Sequence, residues 1–257
     1  MLVNATNGGN NMRRKLGVVV ALAVALLPLP APAQDSSASA PGVNPKDNIT
    51  KIEVLYKHDG FENGPDVNSL TFKYDQALNK EWGFNVEAPL VHYKGFGLEE
   101  SGSGDVQARL RYVKSFGQVS VLAGAELVAP TGSDDTLGRG KWQSNPVIGA
   151  VYAFSPQVFA FAGYKHFWSF AGDDERAAIN ESQPRFIMAY TDPKGWWLLG
   201  DAKFTKSWES LRPATLDTEV ELGQMIGRST AIWLRGGTSF LDSTRELGVN
   251  VGIRQLF

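Results

Sequence analysis

The chain contains no cysteine and little histidine, and it carries almost no net charge. Among its 257 residues are three histidines, and 25 basic side chains nearly balance 27 acidic ones. Without cysteine there is no disulfide framework, which excludes the small, stapled class of secreted domain. A net charge of −2 offers no basic surface to nucleic acid. The fold must therefore be stabilised by packing and hydrogen bonding, and nucleic acid is not an expected partner.

Apolar runs long enough for a membrane helix are also missing. The one extended apolar stretch, from Leu16 to Leu27, follows a basic cluster at residues 13–15 and precedes the small residues Ala31-Pro32-Ala33. That order is typical of a secretory signal peptide, and the stretch is shorter than the roughly 20 residues that a spanning helix needs. We predict a signal peptide at 1–33, with Met12 as an alternative start, and then a flexible periplasmic segment at 34–48. Any membrane residence of the remaining chain must come from strands.

Connections between strand-like segments alternate between long and short. The long polar connections fall at 58–66, 93–103, 130–142, 169–180, 205–215 and 239–244, and the short ones at 78–81, 116–117, 155–156, 192–194 and 225–229. Bacterial outer-membrane barrels have this asymmetry because one end carries short periplasmic turns and the other carries extracellular loops. The sequence therefore predicts an all-β fold at 49–257, a closed antiparallel transmembrane barrel of the bacterial outer membrane.

Alternating hydrophobicity supports this fold. Twelve segments place apolar side chains on one parity and accept polar ones on the other, as transmembrane strands do. Twelve satisfies the even strand count of a closed single-chain barrel, and ten remains an alternative if the weak segment at 49–57 is not a strand. The segment at 158–168 is apolar on both parities and cannot be oriented. A soluble sandwich would alternate as well, but long and short loops would not be expected to alternate in it.

The last predicted strand ends on the final residue of the chain, Phe257. A terminal aromatic residue on an alternating strand resembles the signal by which outer-membrane barrels are recognised for assembly. Gly252 and Phe257 fit that pattern, whereas Gln255 stands where a second aromatic or apolar residue is usual. The barrel assembly machinery is therefore an expected partner, together with outer-membrane lipid and lipopolysaccharide.

On the predicted strands, the residues that alternate with the apolar ones include many charged side chains of both signs. Such a lining fits either a narrow polar passage for a small solute or an interior closed by ion pairs. Arg109 and Arg111 are the strongest candidates for solute contact because two arginines on one lumenal face resemble the basic rings that attract anions. The predicted solute pathway consists of Lys73, Glu87, Arg109, Arg111, Glu126, Arg185, Asp201, Lys203, Glu221 and Arg235. Further residues predicted to face the interior are Lys51, Glu53, Asp75, Glu219, Glu246 and Arg254.

Residues for catalysis are sparse. A serine and a histidine on one strand need a spacing of two to point the same way, and His166 and Ser169 are three apart. The acidic pairs Asp134-Asp135 and Asp173-Asp174 lie in predicted loops, where solvated charge is the simpler interpretation than a cation site. No zinc-ligand spacing, phosphate-binding loop or nucleophile elbow is present. We predict no enzyme, no cofactor and no metal, and a lipid-hydrolysing barrel is the least favoured alternative.

Motifs in the middle of the chain resemble a known family. Gly102-Ser103-Gly104-Asp105 runs into Arg109-Leu110-Arg111-Tyr112, and Ala129-Pro130-Thr131-Gly132 is followed by Gly138-Arg139-Gly140-Lys141-Trp142. Together these are similar to the outer-membrane transporters associated with the meta-pathway of phenol degradation, over most of the chain from about residue 49. The resemblance implies a barrel that admits small aromatic or otherwise hydrophobic compounds by passive diffusion.

The second motif belongs to a predicted extracellular loop. Pro130 ends a strand because it lacks a ladder N–H, and the glycines permit a tight backbone. We expect this loop to fold inward and narrow the pore. The residues of the loop motif are Pro130, Thr131, Gly132, Gly138, Gly140, Lys141 and Trp142.

Overall fold

The structure is a computed structural model, and it describes residues 40–209, 214–241 and 245–257. The predicted signal peptide and residues 34–39 lie outside the described residues. No helix in the described part of the chain is long and apolar enough to cross a membrane. Its strands are β1 Lys51–Phe61, β2 Asp66–Ala77, β3 Trp82–Gly95, β4 Leu98–Ser103, β5 Val106–Phe116, β6 Val119–Ala129, β7 Lys141–Ala153, β8 Val158–Gly172, β9 Asn180–Thr191, β10 Trp196–Ser207, β11 Thr215–Ile226, β12 Thr230–Leu241 and β13 Arg245–Leu256.

The strands form one antiparallel sheet that closes on itself. Strand β1 pairs with β2 on one side and with the last strand, β13, on the other. The first half of β3 pairs with β5 and its second half with β4, so β4 and β5 are two parts of one barrel strand, interrupted at Gly104 and Asp105. The ring therefore has twelve strands, and the predicted fold class is confirmed. Among the described strands, closure leaves no edge with unpaired N–H and C=O groups, which hydrocarbon would penalise.

Both described termini of the barrel lie at the end that carries the turns at 78–81, 117–118, 154–157, 192–195 and 227–229. Such an end is periplasmic in bacterial barrels. The opposite, extracellular end carries the longer connections, of which 130–140 and 173–179 are fully described. The connections at 62–65 and 96–97 are shorter than predicted, because β1, β2, β3 and β4 extend into the ranges predicted as loops.

Side chains alternate between an apolar outer face and an inner face along each strand. On β6, Val121 and Leu127 are exposed on the outside, whereas Leu122 and Glu126 are buried inside. The structure also orients the segment at 158–168: Phe161 points inward and Tyr164 outward. Phe161 fits inside because it lies against Gly149 and Gly163, which leave room for its ring.

The interior has an apolar part near the periplasmic end and a charged part above it. The apolar cluster is built from the periplasmic halves of seven strands, β5 to β10 and β12. It lies below the ion pairs of Glu126 and Asp201, whereas the Glu53–Arg254 pair lies level with it. Its members are Val113, Leu122, Val151, Phe159, Phe161, Ile187, Ala189, Trp197, Leu199, Ala231 and Trp233, together with Ala40 from the segment before β1.

Glycines facing large rings allow this cluster to pack. A Cβ atom at Gly223 would lie 2.0 Å from the Trp197 ring, whose side chain is fully buried. We expect Gly223→Ala to lower the free energy of unfolding by about 1–3 kcal/mol, because a packed interior cannot admit an extra methyl group without strain. Urea unfolding in lipid, followed by electrophoretic mobility, measures this. The matched control is Gly200→Ala on β10, where a Cβ meets no described atom within 4 Å; an equal loss in both variants would contradict the prediction.

Candidate functional site

The centre of the interior holds an arginine that contacts three carboxylates. Arg235 on β12 lies with its Nη2 2.5 Å from Glu221 Oε2 and its Nη1 3.3 Å from Asp201 Oδ2 and 3.4 Å from Glu219 Oε2. Arg185 on β9 also binds Asp201, at 2.6 Å, and Lys203 binds Glu219 at 3.2 Å. These side chains meet because register sets them on one inner face: Arg185 is opposite Lys203, Asp201 opposite Glu219, and Glu221 opposite Arg235.

A second cluster surrounds Glu126 on β6, whose side chain is 1% exposed. Its carboxylate accepts hydrogen bonds from Arg109 on β5, from Lys165 on β8 at 2.5 Å and from the Asn145 amide on β7 at 3.0 Å. Lys73 and Glu87 pair beside it at 3.3 Å. All ten residues of the predicted solute pathway therefore project into the interior. Because acids and bases alternate in these clusters, the carboxylates are largely neutralised where they stand.

The two arginines predicted to attract anions are both engaged. Arg109 is held by Glu126. Arg111 donates to the main-chain oxygens of Pro45 and Asp47, at 3.1 and 2.9 Å, and to Asn48 Oδ1 at 2.7 Å. They do not form an open basic ring.

Arg111 binds part of the segment 34–48, which the sequence predicts to be flexible and periplasmic. Residues 40–48 pack inside the periplasmic mouth: Ala40 joins the apolar cluster and Asn48 is buried. Burial raises the pKa of the Asp47 carboxyl above its ordinary value, partly offset by the hydrogen bond it accepts from the Gly42 N–H. Arg111 and the apolar cluster thus offer residues 40–48 partners that the sequence of the segment does not reveal.

The extracellular loop 130–140 is anchored by Asp105, at the break between β4 and β5. The Asp105 carboxylate accepts the N–H groups of Gly132, at 3.0 Å, and of Arg139, at 2.6 Å. Leu137 is buried, and Leu137, Gly138 and Arg139 line a cavity together with inner residues of β3, β5, β6, β7 and β8. The loop thus bends over the lumen, and Gly138 has to be a glycine because a Cβ there would lie 2.5 Å from Asp105 Oδ1.

Replacing the anchoring carboxylate should loosen this loop. We expect Asp105→Ala to raise the rate of proteolytic cleavage within 130–140 by about tenfold, because two N–H groups lose a charged acceptor and such bonds contribute about 1.5–3 kcal/mol each. The rate is measured on the reconstituted barrel with an external protease. Asp174→Ala, in the exposed part of the loop 173–179, is the control. Equal cleavage of the two variants would show that Asp105 does not hold the loop.

The alternating pattern of the sequence did not identify every interior residue, and it placed one exposed residue inside. Lys165 lies on β8, whose inner parity is mostly apolar, and Asn145 lies on β7, whose inner parity is polar only in its extracellular half; no pattern marked either residue. Glu246, predicted to face inward, is exposed: the register shifts at Gly60, where a bulge leaves Glu246 unpaired, and Arg245 takes the inner position. Arg245 Nη1 lies 3.1 Å from both Asp59 Oδ1 and Glu219 Oε1.

Two serine–histidine pairs form across strands on the outer face. Ser101 Oγ lies 2.7 Å from His92 Nδ1, and Ser182 Oγ 3.5 Å from His166 Nδ1. A search along single strands could not find them, because each pair joins neighbouring strands. The carboxylate nearest to His92, that of Glu99, is 3.7 Å from Nε2 on an exposed side chain, outside hydrogen-bonding distance.

No protein-family model matches the chain, and no curated protein sequence does either. Solved structures do match. A COG4313 outer membrane channel from Pseudomonas putida F1 is 16% identical, with a TM-score of 0.65 over 84% of this chain and 100% of that one. The NanC porin is 12% identical, with a TM-score of 0.61 over 79% of this chain and 98% of that one. The CymD monoaromatic hydrocarbon channel is 8% identical, with a TM-score of 0.53 over 89% and 95% of the two chains.

At these identities the similarity establishes the fold. A closed twelve-stranded barrel with an apolar outer surface, built like these outer-membrane porins and channels, lies in the bacterial outer membrane. The predicted location is therefore confirmed.

Proposed function

We propose that this barrel is a passive outer-membrane channel for a small solute. The observation that carries the proposal is an interior lined with ion-paired polar groups and narrowed at both ends. The loop 130–140 bends over the extracellular side, and residues 40–48 pack into the periplasmic side. Charged lining residues with fixed partners suit a pathway that small molecules cross without a catalytic step. The porin and channel folds of the structural neighbours support the same class of function.

The solute is proposed to have an apolar part. Pro89, Val91, Leu137 and Phe167 line the cavity beneath the loop 130–140. A wholly hydrophilic solute would gain nothing from these side chains, whereas an aromatic or aliphatic body would lose water-exposed surface against them. The motif resemblance to transporters associated with phenol degradation agrees with this choice, as does the name of the CymD channel.

Single-channel recording tests the proposal. We expect refolded protein in planar bilayers to give small, discrete openings, and an amphipathic solute added on one side to shorten them. The control is protein that electrophoresis shows to be unfolded. A folded barrel that neither conducts nor passes solute into liposomes would overturn the proposal.

One observation favours a second function, a barrel that is closed and serves as a scaffold. The apolar cluster and residues 40–48 pack against one another without a ligand, so the periplasmic half has a core like that of a soluble domain. A scaffold predicts that removing lumenal charges lowers stability alone, whereas a channel predicts changed conductance in variants that stay folded.

The exposed pair of His92 and Ser101 is where a lipid-hydrolysing activity can be tested. We propose that His92 and Ser101 have a structural role in joining β3 to β4, since the Glu99 carboxylate lies 3.7 Å from His92 Nε2, beyond hydrogen-bonding distance. A nitrophenyl ester should be hydrolysed no faster by the barrel than by Ser101→Ala. Faster turnover that Ser101→Ala abolishes would revive the enzyme.

The chain terminus is proposed as the contact for the barrel assembly machinery. Phe257 is exposed at the periplasmic rim, and its N–H donates to the main-chain oxygen of Thr50, at 3.0 Å, directly before the first strand. Phe257→Ala should therefore slow insertion by the assembly machinery more than spontaneous refolding into detergent.

A further inference from the structure

Beneath the loop 130–140 lies a cavity of about 280 Å³. Its wall is a row across three neighbouring strands, in which Gln107 on β5 pairs with Val128 on β6, and Val128 pairs with Gln143 on β7. Its floor is formed by Glu126 and Asn145, which lie in the next row inward, where Glu126 pairs with Arg109. Apolar side chains close the rest of it, from Pro89, Val91, Leu137 and Phe167.

Two carboxamides of the wall have no protein partner. Within the described residues, neither Gln107 nor Gln143 makes a side-chain hydrogen bond, although Gln143 is only 2% exposed. Both amides line the cavity, so the hydrogen-bonding groups that they offer are available to water or to a bound molecule there. Neighbouring strands lie about 4.8 Å apart, so the Cα atoms of Gln107 and Gln143 are roughly 10 Å apart, one on each side of Val128. Each offers both a donor and an acceptor.

The charges around the cavity are already satisfied. Glu126 is held by Arg109, Lys165 and Asn145, and Arg139 is bound to Glu181 at 2.5 Å. Asp105 accepts two main-chain N–H groups. An ionised solute would have to lose its hydration without gaining a free counter-charge, which costs several kcal/mol or breaks a buried pair. The cavity therefore favours an uncharged guest.

We propose that this cavity is a binding site for a neutral solute that carries hydrogen-bonding groups, such as hydroxyls, on a compact apolar frame. The Gln107 and Gln143 amides bind the polar groups, and Val128, Leu137 and Phe167 contact the frame. A volume of about 280 Å³ is just below the range of drug-sized pockets, about 300–1,000 Å³, so the guest is small. The inference rests on the proposed channel function and names the class of solute that would pause at its extracellular end.

Calorimetric titration of nanodisc-embedded protein tests the site with three probes of one frame: 1,4-benzenedimethanol, p-xylene and terephthalate. Empty nanodiscs correct for partition into lipid. We expect the diol to bind at least about tenfold more tightly than the other two, because p-xylene leaves the amides unpaired and terephthalate brings unpaired charge. In the double variant Gln107→Leu/Gln143→Leu the diol affinity should fall about tenfold.

The matched control is Gln183→Leu, which removes a lumenal amide that binds Thr205 and does not line the cavity. The control should bind the diol as the unsubstituted protein does. Equal diol affinity in the double variant and the control would overturn the site, as would equal affinity for the three probes.

Diol uptake by liposomes, taken as the rate above that of protein-free liposomes, separates this inference from the channel function. Binding that the double variant loses, without uptake by any variant, would support the site and overturn the channel. Uptake by all variants, without binding or with binding that the double variant keeps, would support the channel and overturn the site.

Discussion

Arg235→Met should lower the free energy of unfolding of the barrel by about 3–5 kcal/mol, the usual cost of removing one partner from a buried ionic network. The guanidinium contacts Asp201, Glu219 and Glu221, and it lies 5.7 Å from the centre of the Trp233 ring. Asp201 and Glu219 keep other cations, but Glu221 loses both of its hydrogen bonds from Arg235 and retains that from the Trp197 indole N–H. Methionine keeps the volume of the side chain and removes its charge.

Urea titration in lipid vesicles measures this loss. The control is Arg228→Met in the exposed turn 227–229, where removing the same charge should change stability by less than about 1 kcal/mol. A double variant with Glu221→Gln should lose less than the sum of the single changes, because it removes part of the unpaired charge. An Arg235→Met loss as small as that of the control would show that water reaches the network and screens it.

The barrel itself could be predicted because its two faces meet different solvents. Apolar side chains on one parity follow from contact with lipid, and this rule holds on β6, where Val121 and Leu127 lie outside and Glu126 inside. The rule fails where both faces are apolar, as on β8. There, Gly149 and Gly163 decide which side admits Phe161, and these glycines only become neighbours of that ring through pairing in space.

The sequence could predict which residues belong to the candidate site, but not which of them pair with one another. Parity places Arg109, Glu126 and Arg235 inside, yet which acid meets which base depends on register. Register is fixed by long-range pairing, and a single bulge at Gly60 exchanges Glu246 for Arg245. Lys165 completes the Glu126 cluster from a strand whose inner face is otherwise aromatic and small, so no local pattern indicated it.

The periplasmic mouth illustrates the same limit. Residues 40–48 have the composition of a linker, and nothing in them marks a docking segment. Their position depends on Arg111, more than sixty residues away in sequence, and on an apolar cluster assembled from seven strands. In the proposed channel, Arg111 is the side chain that supplies most of the hydrogen bonds holding this segment in the mouth, which makes it the most informative one to remove.

Arg111→Met should release residues 40–48 and raise single-channel conductance several-fold. The guanidinium supplies three hydrogen bonds to the segment, at 2.7–3.1 Å, and bonds from a charged donor contribute about 1.5–3 kcal/mol each. Losing about 3 kcal/mol of this would shift the balance between seated and released segment by roughly 100-fold. The apolar contacts of Ala40 and Val43 with the cluster oppose release, so the gain in conductance is smaller than that shift.

Because the chain has no cysteine, one introduced thiol reports the position of the segment directly. Val43→Cys, packed against the apolar cluster, should react slowly with a maleimide applied from the periplasmic side, and at least about tenfold faster when combined with Arg111→Met. Lys114→Met removes a charge from the same strand, but that side chain faces outward and pairs with Glu81 at the rim, so labelling and conductance should stay unchanged. Fast labelling without a rise in conductance would mean that the ion-paired layer above, and not residues 40–48, closes the lumen. Slow labelling in both variants would mean that the apolar cluster holds the segment without help from Arg111.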